Sequence, residues 1–222
     1  MRRVLLAMVA LVAACSSVPP RVGEAPPHAP DNQKELQYHE VFDRYTRHAE
    51  IYDGFDTRMF MAATFETPEF VQVRSERMSS FLGLPAAEAQ AVMARDLADA
   101  SKGIDFFMGV STAVRKVNDF GTANSIWRIS LSTSTGEVTP ILIDRISKPD
   151  DNLRGIYFYL GDFWVGYRMV FPSTLPNGQP VIPPGEKTVT FKLDSALGHA
   201  KLEFPAPGPK VTTPASSTAS AR

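Results

Sequence analysis

Ile104-Asp105-Phe106-Phe107-Met108-Gly109-Val110-Ser111 follows Gly103 and marks where the apolar spacing of this chain changes from about 3.6 residues to about 2. From there on the chain reads as strand. Residues 126–131, 138–146, 156–160, 163–171, 187–193 and 200–204 carry the same short apolar pattern. Between them, 132–136 reads as a hairpin loop, while 147–152 and 172–185 are longer polar or proline-rich connections. Short strands at regular spacing with turn signals between them predict an antiparallel β-sandwich, and an Ig-like arrangement fits the pattern.

Upstream of Gly103 the punctuation is helical. Thr67-Pro68-Glu69 combines a capping hydroxyl, a proline suited to the first helical position and an acid at the positive end of the helix dipole. Phe70, Val73, Met78 and Phe81 follow on one face, and Gly83 is placed to end the helix. Pro85 opens a second helix with the stripe Ala86, Ala89, Met93, Leu97 and Ala100, closed by Gly103. Two helices with a short turn make a hairpin. Before them, 57–65 reads as a buried strand, and Tyr38, Val41, Phe42, Tyr45 and Ala49 share a helical face, although 47–52 reads equally well as the start of a strand. The expectation is an α+β domain over residues 34–204, a sandwich of about eight strands with an inserted helical hairpin.

Residues 156–160 are apolar in both alternating sets, whereas a half-exposed strand alternates with polar residues. Either the hairpin covers the second face, bringing Phe70, Phe81 or Met93 close to Tyr157 or Tyr159, or those tyrosines form an exposed patch; the cover is the favoured account. The aromatic group Trp127, Tyr157, Tyr159, Phe163, Trp164 and Tyr167 is best read as core and helix–sheet packing, and it also supplies the candidates for a glycan or peptide platform, with Tyr157, Tyr159 and Trp164 as its binding surface. Asp150, Asp151, Asn152 and Asp162 offer oxygen ligands without the spacing of a calcium loop. His28, His39, His48 and His199 are scattered and form no paired metal motif. Gly109-Val110-Ser111-Thr112-Ala113 approaches a nucleophile elbow but lacks the closing glycine and a parallel-sheet pattern. Asp53, Asp56 and Arg58 make a charged cluster best read as a surface ion pair. No catalytic residue, metal or cofactor is assigned on these grounds.

The two ends carry the address. Met1-Arg2-Arg3, an apolar run from Val4 to Ala14 and the box Val12-Ala13-Ala14-Cys15 have the layout of a signal peptide, with the chain's one cysteine at the cut site. The run is shorter than the roughly 20 apolar residues that a spanning helix needs. The stretch resembles a bacterial lipoprotein signal, residues 1–14. The resemblance implies that Cys15 is lipidated and that the mature chain is anchored in the bilayer through its acyl chains. In that family, serine rather than aspartate after the cysteine goes with the outer membrane, and Ser16 stands there. Residues 15–33 then read as the lipidated cysteine and a proline-rich tether, and 205–222 as a Pro/Ser/Thr/Ala tail that cannot bury a core.

Removing 1–14 takes two of the 23 basic residues and none of the 24 acidic ones, leaving a balance of minus three. Such a chain has no basic field for nucleic acid, so none is expected as a partner. The reading that follows is a non-enzymatic binding or scaffolding lipoprotein of the cell envelope, its partner an envelope protein or glycan. The alternatives are an envelope hydrolase acting on glycan or ester bonds, or a subunit of a larger envelope assembly.

Overall fold

The computed structural model describes residues 33–53 and 56–208, apart from the Asp53 side chain. Cys15, His28, the signal segment, the tether up to Asn32 and the tail from residue 209 lie outside these residues. The first helix, α1 (Gln33–Tyr45), buries Tyr38, Val41, Phe42 and Tyr45. The fifth residue expected on that face, Ala49, belongs instead to β1 (Thr46–Asp53), which pairs with β2 (Asp56–Phe65). The alternative strand reading of 47–52 is therefore the one observed. Next comes α2 (Pro68–Phe81), capped as its sequence predicts, with the Thr67 hydroxyl accepting from the Phe70 amide at 3.2 Å. In its first turn the Glu69 carboxylate accepts from Arg44 Nη1 at 2.6 Å and from the Tyr45 hydroxyl at 2.8 Å, tying the end of α1 to the start of α2. Then α3 (Ala86–Ala100) leans on α2 and buries no residue fully; Ala86 is exposed and the rest of its stripe half-buried.

After the hairpin come β3 (Ile104–Thr112), β4 (Arg128–Thr133), β5 (Gly136–Val138), β6 (Leu142–Ile146), α4 (Asp151–Ile156), β7 (Val165–Phe171), β8 (Thr188–Ser195) and β9 (Gly198–Pro205). They build two antiparallel sheets in the orders β1-β2-β3-β7-β6 and β5-β4-β8-β9. The hairpin is an insertion between hydrogen-bonded neighbours, since Phe65 at the end of β2 pairs with Phe106 near the start of β3. The described residues thus form an α+β, sandwich-like fold with a helical layer on the first sheet.

β3 is buried on both faces because it lies between those layers. Phe106 points at the second sheet, its ring 5.3 Å from Phe191 and 5.2 Å from Phe204. Phe107 points the other way and stacks on Tyr157 at 3.8 Å and 6°. Each such ring withdrawn from water contributes about 1.5–3 kcal/mol. Gly109 makes room for the next tyrosine, for a Cβ there would lie 2.7 Å from the Tyr159 ring.

Two strand assignments need correction. Residues 156–160 are not a strand: the Asp150 carboxylate accepts from the Leu153 amide at 2.8 Å and starts α4, and the chain then turns beneath the helical layer. A buried turn is apolar on all sides, which in sequence looks like a strand with two covered faces. Residues 138–146 are not one strand but two, in different sheets. Pro140 cannot donate to a ladder and holds its predecessor extended, so Thr139-Pro140-Ile141 carries the chain from the second sheet to the first. With β1 added, 156–160 removed and 138–146 counted as two, the described strands number nine. The expected cover is present, for Phe70 lies 6.2 Å from Tyr157. Phe81, 41% exposed, packs elsewhere, with Arg77 over its ring and its edge against Gly155.

Candidate functional site

Where the chain changes sheets, the sandwich stands open. Between β6 and β4 runs a groove of about 760 Å³, with Trp127, Ile129, Pro140, Ile141, Leu142 and Ile143 in its lining and the hydroxyls of Thr122, Ser125 and Thr139 at its lip. Of the lining residues Arg128 alone is ionisable, and its guanidinium reaches Glu137 at 3.5 Å. Ile141 and Leu142 expose 69% and 42% of their surface here.

One wall of the groove is the loop 118–127, which has no ladder of its own and is braced by side chains. The Asp119 carboxylate accepts from the Ser125 hydroxyl at 3.1 Å and the Ile126 amide at 3.3 Å, and Ser125 Oγ accepts from the Trp127 amide at 3.1 Å. Trp127 Nε1 donates to the Val117 carbonyl at 2.7 Å, and its ring stacks on Phe120 at 5.4 Å and 18°. Phe120 meets Tyr167 edge-on at 5.2 Å; the Tyr167 hydroxyl donates to Asn118 Oδ1 at 2.6 Å and accepts from Arg145 Nε at 3.1 Å. Gly121 sits at φ +82°, and a Cβ there would fall 2.9 Å from Ile143 Cγ2, so the loop can lie this close to β6 only with glycine. A rigid wall, an apolar floor and a few hydroxyls are the make-up of a binding cleft. Proton transfer would call for convergent titratable groups, and the lining supplies one guanidinium.

The sequence candidates fall elsewhere. Tyr157, Tyr159 and Trp164 are 1%, 3% and 8% exposed, so they are core and do not form a binding surface. Tyr157 donates to the Glu66 carboxylate and Tyr159 to the Phe107 carbonyl at 3.1 Å; burial pushes both phenols well above the usual tyrosine range. Of the six aromatics Phe163 alone is open, at 85%. Asp150 caps α4 and Asp162 accepts from Arg154 at 2.8 Å. His39 stacks on Phe158 at 4.7 Å, and His199 lies 2.8 Å from Asp194. Among the described residues no three of His, Cys, Asp and Glu converge on a common point that could hold a metal ion.

A second cluster is charged and buried. Under the hairpin, Glu66 just past the end of β2 lies beside Asp105 of β3, the Glu66 amide donating to the Asp105 carbonyl at 2.9 Å. Arg74 lies between Glu66 at 3.6 Å and Asp96 of α3 at 3.7 Å, and Arg168 lies 3.5 Å from Asp105. Burial raises the Asp105 carboxyl above the ordinary aspartate range, with Arg168 opposing it. Glu66 and Asp96 share Arg74 while Asp105 pairs with Arg168, and the shared arginine ties the outer helix to the end of β2. The groove, by contrast, was not legible in the sequence, because it assembles from 118–127, the start of β4 and the crossing at Pro140. Its nearest signal was Pro140 within an otherwise strand-like run.

Two antiparallel sheets with one helical layer define the class. No protein-family model matches the chain, and no curated protein matches it. A solved structure, a novel protein of unknown function from Burkholderia pseudomallei K96243, is similar at 10% identity with a TM-score of 0.41, covering 78% of this chain and 83% of that one. No helix among the described residues is long and apolar enough to cross a membrane.

Proposed function

We propose that this chain is a non-enzymatic binding or scaffolding lipoprotein of the cell envelope, held in the outer membrane through lipid on Cys15, and that it receives its partner in the groove between β6 and β4. The observation that carries the binding half is the braced, open groove with Ile141 and Leu142 exposed in its lining. The anchoring half is supported by the run Val4 to Ala14 and the box Val12 to Cys15. A lining whose one ionisable group is a guanidinium favours binding over the hydrolase alternative. The test is capture of partners from detergent-solubilised membranes by the intact lipoprotein and by an Ile141→Asp, Leu142→Asp variant. The expected result is one enriched envelope partner that the variant loses; equal capture by both would overturn the assignment to the groove. Cys15→Ser should move the protein out of the membrane fraction, and its retention after carbonate washing would overturn the anchor.

A further inference from the structure

Strand register puts several loops at one end of the first sheet. β6 ends there at Ile146, opposite Gly166, and Val110 of β3 pairs with Val165 at the start of β7, so Val114 and Phe163 lie just beyond the paired residues of neighbouring strands. Phe163 is the most exposed large apolar side chain among the described residues. A chain of contacts leads from it to the point where the polypeptide enters the domain. Asp162 accepts from Arg154 Nη1 at 2.8 Å, and Gly155 next to that arginine lies against the edge of Phe81 at the end of α2. Arg77 stands 5.1 Å from the centre of the Phe81 ring and pairs with Glu35, close to where α1 begins at Gln33. Leu36 and Leu82, which follow Glu35 and Phe81 in the chain, are exposed as well.

Single exposed apolar side chains are ordinary on a protein surface. Here Leu36, Phe81, Leu82, Val114 and Phe163 gather at the end where the chain arrives from Cys15. From Cys15 to Gln33 the chain can reach at most about 60 Å, so lipid on that cysteine tethers the domain by this end and holds it at high effective concentration against the bilayer. The charges suit the same surface. Arg115, Lys116 and Lys148, in the loops at this end, are exposed bases. The nearby acids are engaged, Asp150 with the Leu153 amide and Asp151 and Asp162 with Arg154, while Asp56 stands away in the β1–β2 hairpin. We infer that this end of the domain is a membrane-docking face, which seats Phe163 and its apolar neighbours among the headgroups of a phospholipid bilayer while the three bases meet lipid phosphates. This rests on the anchor proposed at Cys15, and it fixes how the domain stands on the membrane.

The test places the intact lipoprotein in vesicles of phosphatidylethanolamine and phosphatidylglycerol whose acyl chains carry bromine, a short-range quencher of tryptophan. Phe163→Trp puts a reporter on the docking face, and Leu142→Trp, at the far end of β6, is the control. The expected result is loss of the added fluorescence at position 163 and none at position 142. Adding Val114→Asp with Leu82→Asp should restore the signal at 163, since charged side chains oppose insertion. Thermal melts check that these changes at exposed positions leave the fold intact. In a chain that floats with the vesicles, undiminished fluorescence at 163, equal loss at both positions, or no recovery with the two aspartates would each overturn the docking face and leave the anchor standing. A chain that carries no lipid on Cys15 and fails to float would remove both.

Discussion

The two flanks of the sandwich are finished in opposite ways. On one flank β1 and β9, edge strands of different sheets, lie against each other. Arg47 Nε donates to the Glu203 carbonyl at 2.9 Å, and Nη1 is shared among the carbonyls of Asp43, Arg44 and Thr46 at 2.7–3.1 Å. Its guanidinium also lies 5.7 Å from the centre of the Phe204 ring. On the other flank β6 and β4 are parted by the groove, and the chain crosses between sheets at Pro140 rather than pairing across. Sealing occupies carbonyls with the Arg47 guanidinium and covers apolar surface, whereas the open flank leaves apolar surface available for a partner. Stability and recognition therefore reside on different sides of one core, and substitutions should separate them.

The largest effect belongs to the sealed flank. Phe204→Ala removes a ring packed on Phe65 and Phe106 and should cost about 3–5 kcal/mol in denaturant unfolding, with partner capture retained by the molecules still folded. A smaller cost falls at the open flank. Gly121→Ala should lose about 1–3 kcal/mol, because it combines a left-handed backbone with contact against Ile143, and capture should fall as the wall shifts. Full capture by that variant would contradict a rigid wall. Arg47→Ala strips donors from four carbonyls and should cost about 1–2 kcal/mol without touching capture.

Next comes a pH effect at neither flank. The folded protein holds the Asp105 proton more tightly than the unfolded chain, so this group's contribution to stability is fully present below the ordinary aspartate value and is lost as pH rises through the folded value. Asp105→Asn should flatten that part of the stability–pH curve, read by melts across the acidic range, and should gain on the native protein toward neutral pH. The smallest effect on stability is expected for Ile141→Asp with Leu142→Asp, about 0.5 kcal/mol or less at exposed positions, although this pair should have the largest effect on capture.

Local signals survived the passage from sequence to structure and long-range ones did not. The cap at Thr67, the stop near Gly83 and the onset of strand after Gly103 are written within a few residues of where they act. The turn at 157–160 was misread as a strand because complete burial erases the alternation that tells the two apart. Tyr157 nonetheless went under the hairpin, beside Phe70, and Tyr159 under α1, beside Phe42, since the inference needed only a face to cover. The split of 138–146 hinged on one proline. The groove itself has no contiguous sequence signature: Asp119, Trp127 and Ile143 acquire their roles only after both sheets have formed.

The sealed flank also orders events in time. β1 is the first strand of the described chain and β9 the last, so the bond from Arg47 to Glu203 spans 156 positions. An edge of this kind cannot close while the chain is still emerging from a ribosome or a translocation channel. Until β9 arrives, Arg47 and the flank of β1 lack the strand that covers them, and non-local contacts of this sort bring folding into the range of about milliseconds to seconds. The nascent protein is therefore most exposed to misassociation at its beginning, and a truncation removing β9 should aggregate through β1 even though every residue of β1 is present.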